Sequence, residues 1–154
     1  MRENHILIID DDLMLLKTAE EILSVQYNVS VAKSGIQALN LLNKNIIPDL
    51  ILLDIDMPQM DGYETLEEIK KIPRCELIPI IFLTGFSEMD YEVRGLKAGA
   101  VDYIVKPFAK EILLARVERH LERYQQRQHK KSMELSDYAK QIKSQLTPTE
   151  WKIA

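Results

Sequence analysis

The sequence predicts a doubly wound α/β domain, in which helices cover both faces of a parallel sheet. Two observations support this fold class. Short runs rich in Ile, Leu and Val alternate with stretches whose apolar residues recur every three or four positions, the spacing of one helix face. Four of the five apolar runs are nearly continuous, which suits strands that are buried on both sides. Strand–helix units that follow one another in this way indicate one α/β domain.

The predicted strands and helices alternate along the chain. The strand segments are HILII (5–9), YNVSVA (27–32), DLILL (49–53), IPIIFL (78–83) and DYIV (102–105). A helix is predicted after each strand, with apolar positions at Leu15, Leu16, Ala19, Ile22 and Leu23, at Ile36, Leu39 and Leu42, at Tyr63, Leu66 and Ile69, at Val93 and Leu96, and at Leu113, Leu114, Val117 and Leu121. Ser34 and Gln37 predict a capping box at the start of the second helix.

The amino-acid composition is that of an ordinary globular protein. The 154 residues are 46% hydrophobic and 29% charged, and the net charge of −4 gives no global indication of a nucleic-acid or membrane partner. The single Cys75 cannot form an internal disulfide, which fits a reduced cytosol. No segment is apolar enough for a membrane helix and the start lacks a signal-peptide pattern, so a cytoplasmic protein is expected. His5, His120 and His129 are scattered and are expected to be solvated or half-buried.

Polar residues of complementary chemistry follow four of the predicted strands. Asp10, Asp11 and Asp12 follow the first strand, Asp54 the third, Thr84 the fourth and Lys106 the fifth. In open parallel sheets, ligands bind beyond the carboxyl ends of the strands, where the strand order reverses. The sequence therefore predicts one crevice that holds carboxylates, a hydroxyl and an amine.

The acidic residues of this crevice require a counter-charge. Two carboxylates about 4 Å apart repel each other by about 4 kcal/mol at an effective dielectric constant of 20, so Asp10, Asp11 and Asp54 need a metal ion or protons. Oxygen ligands without Cys or His favour Mg²⁺, which also binds phosphate oxygens. With Thr84 and Lys106 as donors to phosphoryl oxygens, the pattern predicts phosphoryl transfer to a carboxylate.

Asp54 and Asp56 lie two apart, so on a strand they point to the same face. They are either a metal-holding pair or a nucleophile and its helper. Their segment LLDID resembles the Asp-x-Asp nucleophile motif of haloacid-dehalogenase-like phosphatases, in which the second Asp is the general acid–base. That family has its motif on the first strand and its acidic pair last, whereas here Asp10 and Asp11 come first. Met57 also replaces the family's usual Thr or Val, and no cap domain is present.

Four longer motifs resemble the receiver domain of two-component response regulators. They are ILIIDDD, PDLILLDIDMPQMDGYE, IIFLTG and GLKAGAVDYIVKPF, and the resemblance covers residues 5 to about 125. It implies a flavodoxin-like (βα)5 sheet with strand order 2-1-3-4-5 and an extended C-terminal helix. It also implies a signalling switch that takes a phosphoryl group from a sensor histidine kinase. Such a domain is not an enzyme, apart from catalysing its own phosphorylation and dephosphorylation.

The resemblance also implies a role for each residue of the crevice. The phosphoryl acceptor is Asp54; the Mg²⁺ ligands are Asp10, Asp11, Asp54 and the backbone carbonyl of Asp56; the phosphate-binding groups are Thr84, Gly85 and Lys106; the switch residues are Thr84 and Tyr103. The Lys106-Pro107 bond is expected to be cis, as is usual in the family. Tyr103 is otherwise a half-buried strand aromatic, and the side chain of Asp56 either lines the site or is a solvated loop acid.

The C-terminal part of the sequence changes character, and receiver residues 1–125 are followed by two further segments. Residues 126–146 are expected to form a helical linker or coiled coil. One heptad register, interrupted at Gln128 and Lys131, holds Leu114, Val117, Leu121, Tyr124, Leu135, Tyr138 and Ile142. The helix is either a dimerising one, which predicts a homodimer, or a solvated linker broken near residues 130–132.

Residues 147–154 predict the start of an output domain that this chain does not contain. Thr147, Pro148 and Glu150 form a helix-start pattern that resembles the opening of a LuxR-type helix-turn-helix domain. DNA would then be bound only through that absent domain. The alternative is a tail that folds back and buries Trp151. Three outputs stay open: a transcription regulator, a stand-alone binding module, and control of an attached enzyme such as a cyclic-dinucleotide synthase.

Overall fold

A computed structural model of the protein describes residues 4–85, 94 and 97–145. The strands within these residues are β1 (His5–Ile9), β2 (Asn28–Ala32), β3 (Leu50–Asp54), β4 (Ile80–Thr84) and β5 (Asp102–Val105). The helices are α1 (Leu13–Leu23), α2 (Gly35–Asn43), α3 (Gly62–Lys70) and α4 (Lys110–Gln145), with a short 3₁₀ helix at Pro73–Cys75. Of the helix predicted between β4 and β5, Arg94, Lys97 and Ala98 are described and helical, and the rest lies outside the described residues.

The described strands form one parallel sheet in the order β2-β1-β3-β4-β5. This confirms the predicted doubly wound fold and its strand order, and α4 is the extended C-terminal helix. The fourth strand begins at Ile80 rather than at residue 78, because Pro79 has no N–H group to donate to the sheet. The carbonyl of Pro79 still accepts the N–H of Ile51 at 3.0 Å.

Apolar side chains cover both faces of the sheet, which explains the continuous apolar runs. In β1, Leu7 and Ile9 belong to one core cluster, whereas Ile6 and Ile8 belong to the other. The first cluster includes residues of α2 and α3, and the second includes residues of α1 and of the first turns of α4. The strands are therefore held between two layers of helices, and the residues at their carboxyl ends project from a fixed frame.

The capping box predicted at α2 is only partly formed, whereas α3, for which no cap was predicted, begins with a complete one. At α3, the Asp61 carboxylate accepts the Glu64 N–H at 2.9 Å and Glu64 accepts the Asp61 N–H at 3.4 Å, a complete capping box. At α2, Ser34 Oγ accepts the Gln37 N–H at 3.1 Å, but Gln37 Oε1 accepts the N–H of Lys33 at 2.6 Å. The predicted box at Ser34 is therefore incomplete, because the Gln37 side chain reaches one residue further back.

Helix α4 is continuous and is not broken near residues 130–132. Val117 and Leu121 lie in the apolar core, so packing within the α/β domain accounts for this part of the predicted heptad pattern. Further along, Leu135 and Tyr138 are 61% and 62% exposed, and Ile142 is 39% exposed. The exposed apolar positions of the pattern therefore lie in the second half of the helix.

The chain divides into two compact units, Met1–Leu121 and Glu122–Ala154. The second unit is described as far as residue 145, and its described residues are the C-terminal two thirds of α4. The predicted output-domain start at residues 147–154 lies outside the described residues. Among the residues that the structure describes, no helix has the length and apolar character needed to cross a membrane.

Candidate functional site

The structure brings the predicted strand-end residues together at the carboxyl edge of the sheet. Asp10 follows β1, Asp54 ends β3, and Lys106 follows β5. The Lys106 ammonium donates to Asp10 Oδ2 at 2.7 Å and to Asp54 Oδ1 at 3.1 Å. Asp10, Asp11 and Asp54 each offer a carboxylate oxygen, and these oxygens lie within 4.8 Å of one another. The site is thus a group of carboxylates with one lysine bridging two of them.

Three hydrogen bonds hold Asp10 in place. Its N–H donates to the Ala32 carbonyl at 3.1 Å, which extends the pairing of β1 with β2 by one residue. Its Oδ1 accepts the Asp12 N–H at 2.9 Å, while Oδ2 accepts from Lys106. The residue has no exposed surface. A buried carboxylate needs a partner of opposite charge, and the ion pair with Lys106 meets this need for Asp10.

Asp12 has a structural role that differs from the roles of the two acids before it. Its Oδ1 accepts the N–H groups of Met14 at 3.0 Å and Leu15 at 3.3 Å, so it is the N-cap of α1. Asp11 remains exposed at the rim of the site. The three consecutive acids therefore have different places: Asp10 is buried, Asp11 is exposed at the rim of the site, and Asp12 caps α1. An Asp directly before an apolar helical stripe is the signal that identifies the cap.

The environment of Asp54 raises its pKa to about 7. Burial is the main cause, the nearby Asp10 charge adds to it, and Lys106 acts in the opposite direction. For Lys106, burial alone would lower the pKa, but the hydrogen bond to Asp10 and the charges of both carboxylates raise it. Lys106 therefore stays protonated at neutral pH, whereas Asp54 gains or loses its proton near neutral pH.

Thr84 and Gly85 occupy the neighbouring end of β4. Thr84 is 3% exposed, and its carbonyl accepts the Lys106 N–H at 2.6 Å, which joins the two strand ends. Gly85 is exposed, and no residue that the structure describes lies within 4 Å of a Cβ built on it. The Lys106-Pro107 bond is cis, as expected.

The loop after Asp54 is closed by Gly62. The Gly62 N–H donates to the Ile55 carbonyl at 2.8 Å. A Cβ at this position would overlap the Asp54 carbonyl oxygen and would lie 2.7 Å from Ile55 Cα, so the close approach requires glycine. Within the same loop, Gln59 has a φ of +70°. Asp56 is exposed, and its carboxylate is not in the acidic group formed by the described residues.

Tyr103 lies in β5 opposite Phe82 and is half-buried against the core. Arg116 Nη1 donates to the Tyr103 carbonyl at 2.8 Å and to Asp102 Oδ1 at 3.1 Å, and His120 Nε2 lies 2.9 Å from Asp102 Oδ2. The expectation of a solvated or half-buried His120 is wrong, because this side chain is 5% exposed. This second polar cluster has no local signal in the sequence, since Arg116 and His120 lie 14 and 18 residues from Asp102.

The family model of the response regulator receiver domain matches residues 6–118. The chain belongs to this family. Membership rules out the haloacid-dehalogenase-like alternative and agrees with the order in which the strands deliver the acids, the hydroxyl and the lysine.

Two curated relatives extend well beyond the region that they share with this chain, whereas one solved structure is matched over nearly its full length. A probable cyclic di-GMP phosphodiesterase of Vibrio cholerae is 44% identical over 76% of this chain and 26% of that protein. The probable transcriptional regulator ycf27 of Cyanidium caldarium is 41% identical over 84% of this chain and 51% of its own length. Among solved structures, the chemotaxis protein CheY4 of Vibrio cholerae superposes with a TM-score of 0.72, at 29% identity, over 76% of this chain and 98% of that one. The chain thus spans about half or less of these two curated relatives.

Proposed function

We propose that the chain is a phosphorylation-operated switch of a two-component pathway, and that Asp54 accepts a phosphoryl group from a sensor histidine kinase. The observation that supports this best is the position of Lys106, which bonds Asp10 and Asp54 at once. A structural ion pair needs one carboxylate, whereas a phosphoryl site needs an acceptor, acids for a metal and a cation for the transferred oxygens.

Mg²⁺ is the proposed cofactor. The donor set consists of oxygens only, from Asp10, Asp11 and Asp54, and such a set suits a hard cation. The backbone carbonyl of Asp56 is proposed as a further ligand. When bound, Mg²⁺ neutralises charge on the transferred phosphoryl group. It also favours the ionised form of Asp54, whose pKa of about 7 leaves part of the metal-free population protonated at neutral pH.

The proposed transfer moves the phosphoryl group from a nitrogen of the kinase histidine to a carboxylate oxygen of Asp54. The P–N bond breaks and a P–O bond forms; later, water attacks phosphorus, releases inorganic phosphate and restores the carboxylate. Lys106 already lies beside Asp54 and would donate to a phosphoryl oxygen. The Thr84 hydroxyl and the Gly85 N–H would serve as further donors. This catalysis acts on the protein itself rather than on a separate substrate.

The switch would run through Thr84 and Tyr103. Attraction of the Thr84 hydroxyl to the phosphoryl group would leave room for the Tyr103 ring to turn inward. The positions of the neighbouring side chains on β5 and on the first turns of α4 would change with it. Arg116 of α4 links these two elements, because it donates a hydrogen bond to the Tyr103 carbonyl. Both states exist before phosphorylation, and the modification shifts their populations.

We favour a transcription regulator as the whole protein. The ycf27 relative is named as a transcriptional regulator, and its match extends over 84% of this chain. The second candidate is a regulator of cyclic-dinucleotide metabolism, which the name of the 44% identical phosphodiesterase supports. In both cases the receiver is proposed to control a further domain. A stand-alone receiver that binds a partner protein is the remaining alternative.

We further propose that residues 122–145 pair with the same segment of a second copy. Leu135, Tyr138 and Ile142 are spaced by three and four residues and are exposed, so they form a short apolar stripe on the helix. A homodimer through this stripe would bring two receivers, and any output domains, onto one target.

Chemical phosphorylation tests the central proposal without knowledge of the kinase. The purified chain is incubated with acetyl phosphate and Mg²⁺, and its intact mass is measured over time. We expect the mass of one phosphoryl group to be added, and we expect chelation of Mg²⁺ to prevent the addition. A chain that stays unmodified with Mg²⁺, or is modified equally in its absence, contradicts the proposal.

A further inference from the structure

Helix α2 makes an unusually close contact with the loop that follows Asp54. Gly35, the first residue of α2, is buried. A Cβ built on Gly35 would overlap Thr65 Oγ1 and would lie 2.9 Å from Sδ and 3.2 Å from Cγ of Met60. These approaches are tighter than ordinary van der Waals contacts. Any side chain at position 35 would therefore displace Met60, Thr65 or the helix itself.

The two side chains that Gly35 contacts are tied to residues 55–61. Thr65 has no exposed surface, and its Oγ1 donates to the Asp61 carbonyl at 2.8 Å. The Met60 N–H donates to the Pro58 carbonyl at 2.8 Å, so the side chain of Met60 extends from a tight turn. A shift of the Thr65 hydroxyl would therefore disturb its hydrogen bond to the Asp61 carbonyl, and a shift of the Met60 side chain would change its contact with α2.

The same loop is fixed to the acceptor strand at its other end. The Gly62 N–H donates to the Ile55 carbonyl, and its bare Cα lies against the Asp54 carbonyl. The loop is thus held between two glycine contacts, one on β3 and one on α2. Asp56, whose backbone carbonyl is a proposed metal ligand, lies between them.

We propose that Gly35 is a positioning residue for the Mg²⁺ and phosphoryl site. Because it has no side chain, α2 closes on Met60 and Thr65 and fixes residues 55–61 in the conformation that presents the Asp56 carbonyl. This inference rests on the proposed function of the site. Gly35 itself would touch neither metal nor phosphoryl group, and its effect passes through Met60 and Thr65.

Mg²⁺ affinity, measured by calorimetry on the full chain, distinguishes positioning from ordinary helix packing. Gly35→Ala is expected to weaken Mg²⁺ binding several-fold, because the new methyl group displaces the loop. Ala38→Gly is the matched control, because Ala38 lies on the same helix and is also buried, and the change lowers the stability of the helix without adding bulk. Its Mg²⁺ affinity should equal that of the wild type.

A second variant keeps the test independent of whether Gly35→Ala folds. Met60→Ala removes the atoms that contact Gly35 and adds no bulk, so it should fold and should also weaken Mg²⁺ binding several-fold. In addition, Gly35→Ala combined with Thr65→Ala should bind Mg²⁺ more tightly than Gly35→Ala alone, because the overlap with Oγ1 is relieved.

The outcomes separate this inference from the proposed function. A wild-type chain that binds no Mg²⁺ overturns the proposed function, and this inference with it. A wild type that binds Mg²⁺, with Met60→Ala and folded Gly35→Ala at the same affinity, overturns this inference alone. So does an Ala38→Gly variant that loses as much affinity as Gly35→Ala.

Discussion

The ammonium of Lys106 lies 2.7 Å from Oδ2 of Asp10, a carboxylate without exposed surface, although 96 residues separate the two in the chain. The contact joins the end of β5 to the end of β1 across the carboxyl edge of the sheet, with Asp54 of β3 between them at 3.1 Å from the same nitrogen. A cation in this position holds two carboxylates together in the metal-free protein.

Removal of this cation should destabilise the metal-free protein. Lys106→Ala leaves Asp10 buried beside Asp54 without its counter-charge, and we expect a loss of about 2 kcal/mol, below the range for a fully buried pair because Lys106 is partly exposed. Mg²⁺ should recover much of this loss, since it supplies a replacement charge. Thermal melts with chelator and with Mg²⁺ measure both effects.

The control for this prediction is Lys71→Ala. Lys71, the residue that caps the end of α3, pairs with Glu68 at 3.1 Å on the exposed surface, where an ion pair contributes little. Equal stability losses for the two variants in chelator would show that the Lys106 pairs are no more important than a surface ion pair.

Asp54 should couple folding stability to pH. Its pKa is about 7 in the folded protein, chiefly because of burial, against about 3.8 in the unfolded chain. The folded state thus binds the Asp54 proton more tightly than the unfolded chain does. The contribution of this proton to the free energy of unfolding is complete below about pH 3.8 and is lost as pH rises through about 7. In chelator, the melting temperature of the wild type should fall between pH 6 and pH 8 by more than that of Asp54→Asn. The histidines are common to both variants, so identical pH profiles would contradict the raised pKa.

The Asp56 carboxylate should influence how long the phosphoryl group persists. It lies two residues after Asp54 and is exposed, so it is free to approach the phosphoryl oxygens or the attacking water. A nearby negative charge would cost the phosphoryl group some stabilisation, whereas orientation of water would speed its hydrolysis. In either case Asp56→Asn should change the dephosphorylation rate several-fold. Glu67→Gln, which removes an exposed acid on α3, is the control; matching lifetimes for all three proteins at saturating Mg²⁺ would make Asp56 a bystander.

Activation should promote dimerisation through the stripe on α4. We expect beryllofluoride with Mg²⁺ to increase the sedimentation coefficient of the wild type at high concentration. Leu135→Asp should abolish the increase, because it charges the stripe. Met133→Asp should not, since Met133 is similarly exposed but lies two positions away, about 200° around the helix. A wild type that is monomeric in both conditions would refute the dimer, and one that is dimeric in both would make pairing independent of activation.

Much of the fold and site was predictable because the relevant signals are local. Continuous apolar runs indicate doubly covered strands, and a parallel sheet brings all its carboxyl ends to one edge, so Asp10, Asp54 and Lys106 follow from their places in sequence. Other features depend on contacts between distant elements. Nothing in the spacing of Gly35 and Thr65 shows that a side chain at one would overlap the other.

The periodic pattern of α4 shows a different limit. Leu121 and Leu135 occupy equivalent positions of one heptad register, yet Leu121 is in the apolar core and Leu135 is 61% exposed. Periodicity identifies the apolar face of a helix but not the surface that covers it. The cluster of Asp102, Arg116 and His120 was missed for a related reason, because hydrogen-bond partners on separate elements leave no local pattern.

The most direct test of the account is the uptake of a phosphoryl group by Asp54→Asn in parallel with the wild type and Asp56→Asn. All three proteins are incubated with acetyl phosphate and Mg²⁺, and their intact masses are followed over time. We expect the wild type and Asp56→Asn each to gain one phosphoryl group, whereas Asp54→Asn, which lacks the acceptor carboxylate, gains none. Modification of Asp54→Asn at the wild-type rate would contradict the central claim.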